Sequence, residues 1–281
     1  MKIISSIDKI RSEFWDAKKS QKRIGFIPTM GALHDGHLSL VQTCKKNSDV
    51  CVMSVFVNPT QFGPQEDFTQ YPRPVKQDTE LARKAGVDFL FLPTQEEMYP
   101  TQSTIFVDET KLDQALCGPF RPGHFRGVCT VVNKFLNIIN PHDLYLGQKD
   151  GQQLRILEEM VKQLHIRTKV IPVGTFREES GVAMSSRNQY LSVTEKQIAA
   201  VIYRALSSTR KLFESGENKT STLLENMKKV LHLEPTFHIQ YVQLLRWNDL
   251  KETEMVEEKS ILAVAGFLGK TRLIDNVLLK S

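Results

Sequence analysis

Ile24-Gly25-Phe26-Ile27-Pro28-Thr29-Met30-Gly31-Ala32-Leu33-His34-Asp35-Gly36-His37 runs from a short apolar segment through a glycine-bearing turn to two histidines three residues apart. The segment that follows, Leu38 to Lys45, has the character of a helix. Strand, tight turn and helix start in succession form a natural cradle for a phosphate chain, because the first amides of a helix lack internal partners and carry the positive end of its dipole. Imidazoles three apart at a helix start share a face and can donate hydrogen bonds to phosphate oxygens. Gly36 permits close backbone approach. The plainer alternatives are two surface histidines or half of a zinc site. Zinc needs further ligands; His124 and Asp143 are of the right type, but their spacing does not demand it, and no dedicated metal site is expected.

Outward from this stretch, short apolar runs alternate with helical patterns. Ile24–Ile27, Val50–Val57, Phe89–Leu92, Ser103–Val107, Asp143–Leu146 and Thr168–Val173 read as strands, several of them continuous Val/Ile/Phe/Leu runs of the kind covered on both faces. Val75–Ala85 reads as a helix stopped by Gly86, Phe125–Ile139 as one with an apolar stripe from Val128 to Ile139, and Gly151–Leu164 as a third. The pattern changes after Asn188. Ser192-Val193-Thr194-Glu195 is a capping box opening a helix to about Glu214, a second helix covers about Ser221 to Leu231, and strands follow at His238–Leu245, Ile261–Val264 and Thr271–Leu278. The expected fold class is α/β: a doubly wound, Rossmann-like parallel sheet over residues 1–175 and a smaller α+β domain over 176–281.

Composition narrows the function classes. The 281 residues are 41% hydrophobic and 25% charged, ordinary for a globular protein. Thirty-seven Lys and Arg stand against 32 Asp and Glu, a net charge of +5 without a basic run, which suits anionic small substrates and gives no nucleic-acid arm. No apolar stretch is long enough to span a membrane, and Met1 to Asp8 lacks the apolar core of a secretion signal. Cys44, Cys51, Cys117 and Cys129 form no Cys-x-x-Cys pair and read as free thiols in a reducing, cytoplasmic setting.

Further polar groups lie just beyond apolar runs, where open α/β sheets bind ligands. Asn58-Pro59-Thr60-Gln61-Phe62 suits a small substrate with hydroxyls, a carboxylate and an apolar part, although its side chains could equally cap their own loop. Arg121-Pro122-Gly123-His124-Phe125-Arg126-Gly127 is a basic loop ahead of a helix. In Gly147-Gln148-Lys149-Asp150-Gly151-Gln152-Gln153, Lys149 is a mobile point charge for phosphate, Gly147 leaves room against the chain, and Gln153 is a candidate substrate reader. Met184-Ser185-Ser186-Arg187-Asn188 offers two hydroxyls and a guanidinium able to wrap a triphosphate. With the histidine pair, these point to ATP and adenylyl transfer.

These motifs, with Tyr71-Pro72-Arg73 and Thr271-Arg272-Leu273-Ile274-Asp275, occur in an order and at spacings that resemble the pantothenate synthetase (pantoate–β-alanine ligase) family over essentially the whole chain. That family belongs to the HxGH-bearing nucleotidyltransferases and condenses pantoate with β-alanine, turning ATP into AMP and pyrophosphate. The resemblance implies that His34, His37, Lys149 and Arg187 act on the phosphates, joined by Ser185 and Ser186. It places Gly147, Asp150 and Met184 in the adenosine site, with Asp150 near the ribose. Gln61 and Gln153 would hold pantoate, Met30 and Phe62 would line its apolar side, Met30 also counting among the ATP contacts, and His124 would lie near the pantoate end. It further implies Mg²⁺ carried mainly by the phosphates, a homodimer, and a smaller domain acting as a lid. The family usually has a bulky apolar residue where this chain has Thr60, and commonly an aromatic residue or alanine at Gly151.

Overall fold

In the computed structural model every residue is described except Ser20, Gln65, Thr101, Gln102 and Ser281, with the backbone alone for 15–19. The chain divides into two units. The first comprises Met1–Thr110, Phe120–Gly147 and Ile156–Val173; the second comprises Lys111–Pro119, Gln148–Arg155 and Gly174–Ser281.

The first unit holds six strands: β1 (Lys2–Ile4), β2 (Ile24–Thr29), β3 (Val50–Val55), β4 (Phe89–Phe91), β5 (Asp143–Gly147) and β6 (Lys169–Val173). Every pairing is parallel, and the order is β1-β4-β3-β2-β5-β6. The helices are α1 (Ile7–Lys19), α2 (Asp35–Asn47), α3 (Val75–Ala85), the single turn α4 (Gln95–Met98), α5 (His124–Ile139) and α6 (Gly151–Gln163), whose first residues count with the second unit. From β2 the chain builds outward to β3 and β4 on one side, while β5 and β6 lie on the other. The carboxyl end of β2 is therefore the topological switch point, where a doubly wound sheet leaves its ligand crevice.

Strands β2 and β3 are apolar along both faces because helices cover both; Phe26, Ile27, Val52 and Met53 are fully buried. Helix α5 presents Val128, Val131, Val132, Phe135, Leu136 and Ile139 to this core. Helix α3 ends where Gly86 turns left-handed.

One expected strand is absent: residues 103–107 form no regular element and pair with no sheet. The Val107 amide instead donates to Thr130 Oγ1 of α5 at 3.0 Å, and the Phe106 ring lies under the Arg126 guanidinium at 3.9 Å. Ile105 is 84% exposed, so the apolar residues that suggested a strand are divided between a helix surface and solvent. Strand β1 and helix α1 were not read from the sequence, although Ile10 and Phe14, four apart and buried, supply a helical signal.

The second unit contains the antiparallel sheet β7 (Phe237–Arg246), β8 (Ser260–Leu268) and β9 (Thr271–Leu279), with helices α7 (Val193–Glu214) and α8 (Thr220–Leu231). Ser192 Oγ accepts from the Glu195 amide at 3.2 Å while Glu195 Oε2 accepts from the Ser192 amide at 2.8 Å, the reciprocal cap that starts α7. Its core joins Ala199, Ile202, Leu206, Leu223 and Met227 to Leu244, Leu262, Val264 and Leu273. Among the described residues no helix is long and apolar enough to cross a membrane.

Candidate active site

In the first unit the residues around the switch point are held by a buried frame. Gly31 takes φ +83°, and a Cβ there would lie 2.8 Å from Asp78 Oδ2 and 2.9 Å from Val55, so both backbone and space require glycine. Asp78 of α3 is buried, and its carboxylate accepts from the Ala32 amide at 2.9 Å and the Leu33 amide at 2.7 Å. Burial raises its carboxyl above the ordinary range although both amides pull it down. Thr29 Oγ1 donates to Ser54 O at 2.6 Å and accepts from the Gly31 amide at 3.2 Å. Neither Asp78 nor Thr29 stood out in the sequence as a site residue. Asp78 is the acid in the first turn of α3, and nothing in the sequence shows that it reaches a turn 45 residues away.

His34 is the extended N-cap of α2, and its carbonyl accepts from the His37 amide at 2.8 Å. The His34 amide in turn donates to His37 Nδ1 at 3.3 Å, closing a capping box made of two histidines. Because Nδ1 accepts, the proton of a neutral His37 sits on Nε2, which becomes a donor. The two rings stack with centroids 4.0 Å apart. Rings so close repel when both are charged, and a polyphosphate beside them offsets that repulsion. The arrangement is a helix N-terminus flanked by two imidazoles, suited to a polyanion.

Gln61 sits at the end of the turn Pro59–Gln61 that follows β3. Its Oε1 accepts from Asn58 Nδ2 at 3.1 Å, so the amide NH₂ points the other way, 3.1 Å from Met30 Sδ. Asn58, 1% exposed, is fixed because its Oδ1 accepts from Tyr99 OH at 2.8 Å and from Thr60 Oγ1 at 3.0 Å, while its NH₂ also reaches Gly127 O at 3.2 Å. The Thr60 hydroxyl is thus a member of the network that orients Gln61. His124 Nδ1 lies 2.8 Å from the Gln61 carbonyl and its Nε2 lies 2.9 Å from Arg121, which forms a two-pronged ion pair with Glu66. Both His124 nitrogens are thereby engaged by the protein, and the ring steadies Gln61 from behind. The Phe62 ring packs edge-on against Phe68 and Tyr71 at 5.3 and 5.9 Å.

A Cβ on Gly127 would lie 2.3 Å from the Thr60 carbonyl oxygen. Gly127→Ala should therefore lower stability by about 1–3 kcal/mol, read as a urea midpoint shift; an unchanged midpoint would mean that α5 and the Gln61 turn separate freely. Gly147, closing β5, is different: a Cβ there meets no protein atom within 4 Å, so packing does not explain the glycine and the space beside it is open.

In the second unit Lys149 and Asp150 lie in the turn Gln148–Asp150, with Lys149 Nζ 3.3 Å from Asp150 Oδ1. Gln153 is in the first turn of α6, half-exposed, and its side chain makes no hydrogen bond among the described residues. Its neighbour Gln152 is the structural one, donating to the Leu112 and Ala115 carbonyls at 2.8 and 2.7 Å and accepting from the Cys117 amide at 3.0 Å. Met184, Ser185, Ser186 and Arg187 are half-buried; Ser185 Oγ accepts from the Arg187 amide at 3.3 Å and starts the turn Ser186–Tyr190. Asn188 anchors that turn, donating to Glu178 Oε1 at 2.8 Å and Ala183 O at 3.1 Å. Among the described residues no three His, Cys, Asp or Glu side chains converge into a metal site.

The model of the family described as pantoate-beta-alanine ligase matches residues 2–278. The pantothenate synthetase of Thermosipho melanesiensis is 46% identical over 278 residues, 99% of each chain, and that of Coprothermobacter proteolyticus is 48% identical over 286 residues, 100% of this chain and 99% of its own. Among solved structures, pantothenate synthetase from Thermus thermophilus superposes with a TM-score of 0.93 at 39% identity, covering 99% of both chains. Pantoate-beta-alanine ligase from Francisella tularensis, crystallised with beta-gamma ATP and beta-alanine, gives 0.82 at 37% identity over 99% of this chain and 97% of that one. With a histidine-capped helix at the switch point of its parallel sheet and relatives matched end to end, the chain belongs to the pantoate-beta-alanine ligase family.

Proposed function

We infer that this protein joins pantoate to β-alanine at the expense of ATP, releasing pantothenate, AMP and pyrophosphate. The observation that carries the reading is the family match along residues 2–278, a span that includes every motif proposed to meet the phosphates. A carboxylate is a poor acyl donor because oxide would have to leave, so the acid is first adenylated. A pantoate carboxylate oxygen attacks the α-phosphorus, the bond to the bridging oxygen breaks, and pyrophosphate leaves with the electron pair. The β-alanine amine then attacks the acyl carbon of pantoyl adenylate, AMP departs, and the amine loses a proton.

His34, His37, Lys149 and Arg187 are the groups proposed to stabilise charge growing on the phosphoryl oxygens. Hydrogen-bond geometry supports His37, whose Nδ1 accepts from the His34 amide and so leaves the proton of the neutral ring on Nε2. Ser185 and Ser186 join them on the triphosphate, with Met30, Gly147, Asp150 and Met184 as the remaining ATP contacts; open space beside Gly147 supports its part. Gln61, Gln153 and Phe62 are assigned to pantoate, with His124 holding Gln61. The oriented Gln61 NH₂ donates to a substrate oxygen. The mixed anhydride hydrolyses in water, and shielding it falls to the loop bearing Ser185–Arg187. Mg²⁺ accompanying ATP would neutralise phosphate charge, ligated mainly by phosphate oxygens and water. A cytoplasmic homodimer is the proposed working form, to be checked by light scattering on the eluted protein.

Gln61→Ala or Gln153→Ala should raise the KM for pantoate by about tenfold while changing that for ATP much less, since each removes one hydrogen-bonding group. Equal losses for both substrates would remove these residues from the pantoate site.

A further inference from the structure

Two consecutive residues of β9 hold both phosphate-handling loops of the second unit. Asn276 donates from Nδ2 to the Gln148 carbonyl at 3.0 Å and to the Lys149 carbonyl at 2.8 Å. Asp275 forms a two-pronged ion pair with Arg177, whose Nη1 also donates to the Gly181 carbonyl at 3.0 Å. Arg177 and Gly181 belong to the short hairpin bridged at Arg177 and Ala183, and the Met184 amide donates back to Phe176 O at 3.0 Å. That hairpin leads directly into Ser185-Ser186-Arg187.

Successive strand residues point to opposite faces of a sheet. Asp275 has the parity of Leu273 and Leu279, which face the helical core, and Arg177 lies 4.5 Å over the Tyr203 ring of α7 on that side. Asn276 has the opposite parity and meets the start of α6, where a Cβ on Gly151 would lie 3.0 Å from Asn276 Nδ2. The two ties therefore leave opposite faces of one strand, separated by one peptide unit. The Asn276 amide donates to Asp275 Oδ1 at 2.8 Å, so the pair is locked internally as well.

The chemistry of the pair argues for positioning over stability. Asp275 is a carboxylate in the face that otherwise packs apolar side chains, and breaking even from such burial takes a fully used Arg partner. Asn276 keeps its Oδ1 buried with no hydrogen-bond partner among the described residues. An apolar residue would avoid that cost, so a buried amide with one orphaned acceptor is retained for its two donors.

We propose that Asp275 and Asn276 are positioning residues for adenylation, a two-sided clasp that sets Lys149 through the Gln148–Lys149 carbonyls and the Ser185–Arg187 loop through Arg177. The proposal rests on the assignment of Lys149 and Arg187 to the ATP phosphates. Displacing a charged group from its phosphate by even about 1 Å costs on the order of 10- to 100-fold in rate.

The test is ATP–pyrophosphate exchange with pantoate, measured on intact Asn276→Leu, Asp275→Asn, Lys149→Ala and Arg187→Ala proteins, with thermal melting beside it. Asn276→Leu removes both donors and the orphaned acceptor, so it should melt near the parent while exchange falls about tenfold or more, with pantoate KM unchanged. Because Asn276 acts through Lys149, Asn276→Leu should have little further effect in a Lys149→Ala background, a non-additivity that a general loss of stability would not produce. Asp275→Asn keeps an oxygen that can accept from Arg177 but loses the charge, and should lower exchange as well; parental exchange in it would remove Asp275 from the clasp. Parental exchange in Asn276→Leu, with Lys149→Ala inactive, would overturn the clasp. Parental exchange in Lys149→Ala and Arg187→Ala would overturn it at its premise.

Discussion

His37→Ala should slow pantoate-dependent ATP–pyrophosphate exchange by about 10²- to 10³-fold, the usual consequence of deleting one preorganised donor to developing charge. His37 Nδ1 accepts from the His34 amide, so its Nε2–H is the donor, and the His34 ring stacked at 4.0 Å keeps it from rotating away. Alanine removes the donor, the stacking and half of the cap together. The cost to stability is small, about 0.5–2 kcal/mol for a lost N-cap interaction, so the variant should remain folded by circular dichroism. His37→Gln retains a polar side chain able to accept from the His34 amide and should recover part of the rate. A folded His37→Ala protein with undiminished exchange would remove His37 from adenylation.

Asp78→Ala should combine the largest stability loss with a loss of activity. It strands the Ala32 and Leu33 amides, which are buried and have the Asp78 carboxylate as their acceptor. Each abandoned buried amide costs about 1–3 kcal/mol, or on the order of 2–5 kcal/mol for the pair. The turn Met30–His34 loses its fixed shape, and exchange should drop about tenfold or more although Asp78 is itself buried. The pH dependence adds a second readout. Burial raises the Asp78 carboxyl in the folded state, so the fold binds that proton more tightly than the unfolded chain. The associated stability is present at acid pH and is lost as pH rises through the raised value. Asp78→Ala should abolish that part of the slope of urea midpoint against pH. An Asp78→Ala protein with parental midpoint and exchange would show that the turn holds its shape unaided.

Much of the fold is legible in the chain because its elements carry strong local signals. The strands β2, β3, β5 and β6 announce themselves as apolar runs, and the Ser192–Glu195 cap marks the start of α7 to the residue. Residues 103–107 carry a similar signal but spend their apolar side chains on α5 and solvent, a choice made by tertiary packing that no local pattern encodes. The candidate site divides the same way. His34, His37, Lys149 and the Ser185–Arg187 run stand out because their residue types cluster in sequence. Asp78 and Asn276 do not, and Thr29 and Asp275 stand in quoted motifs without showing their roles, because each works through a bond to backbone or to a side chain far away along the chain. The groups proposed to meet substrate are therefore largely readable, while those that hold them in place emerge only with the structure.

The central claim is that pantoate is adenylated here. ATP–pyrophosphate exchange with β-alanine omitted, run with and without pantoate, tests it most directly. The account predicts exchange that depends wholly on pantoate, because only reversible formation of pantoyl adenylate returns labelled pyrophosphate to ATP. Exchange that proceeds equally without pantoate, or none with pantoate, Mg²⁺ and folded protein present, would contradict it.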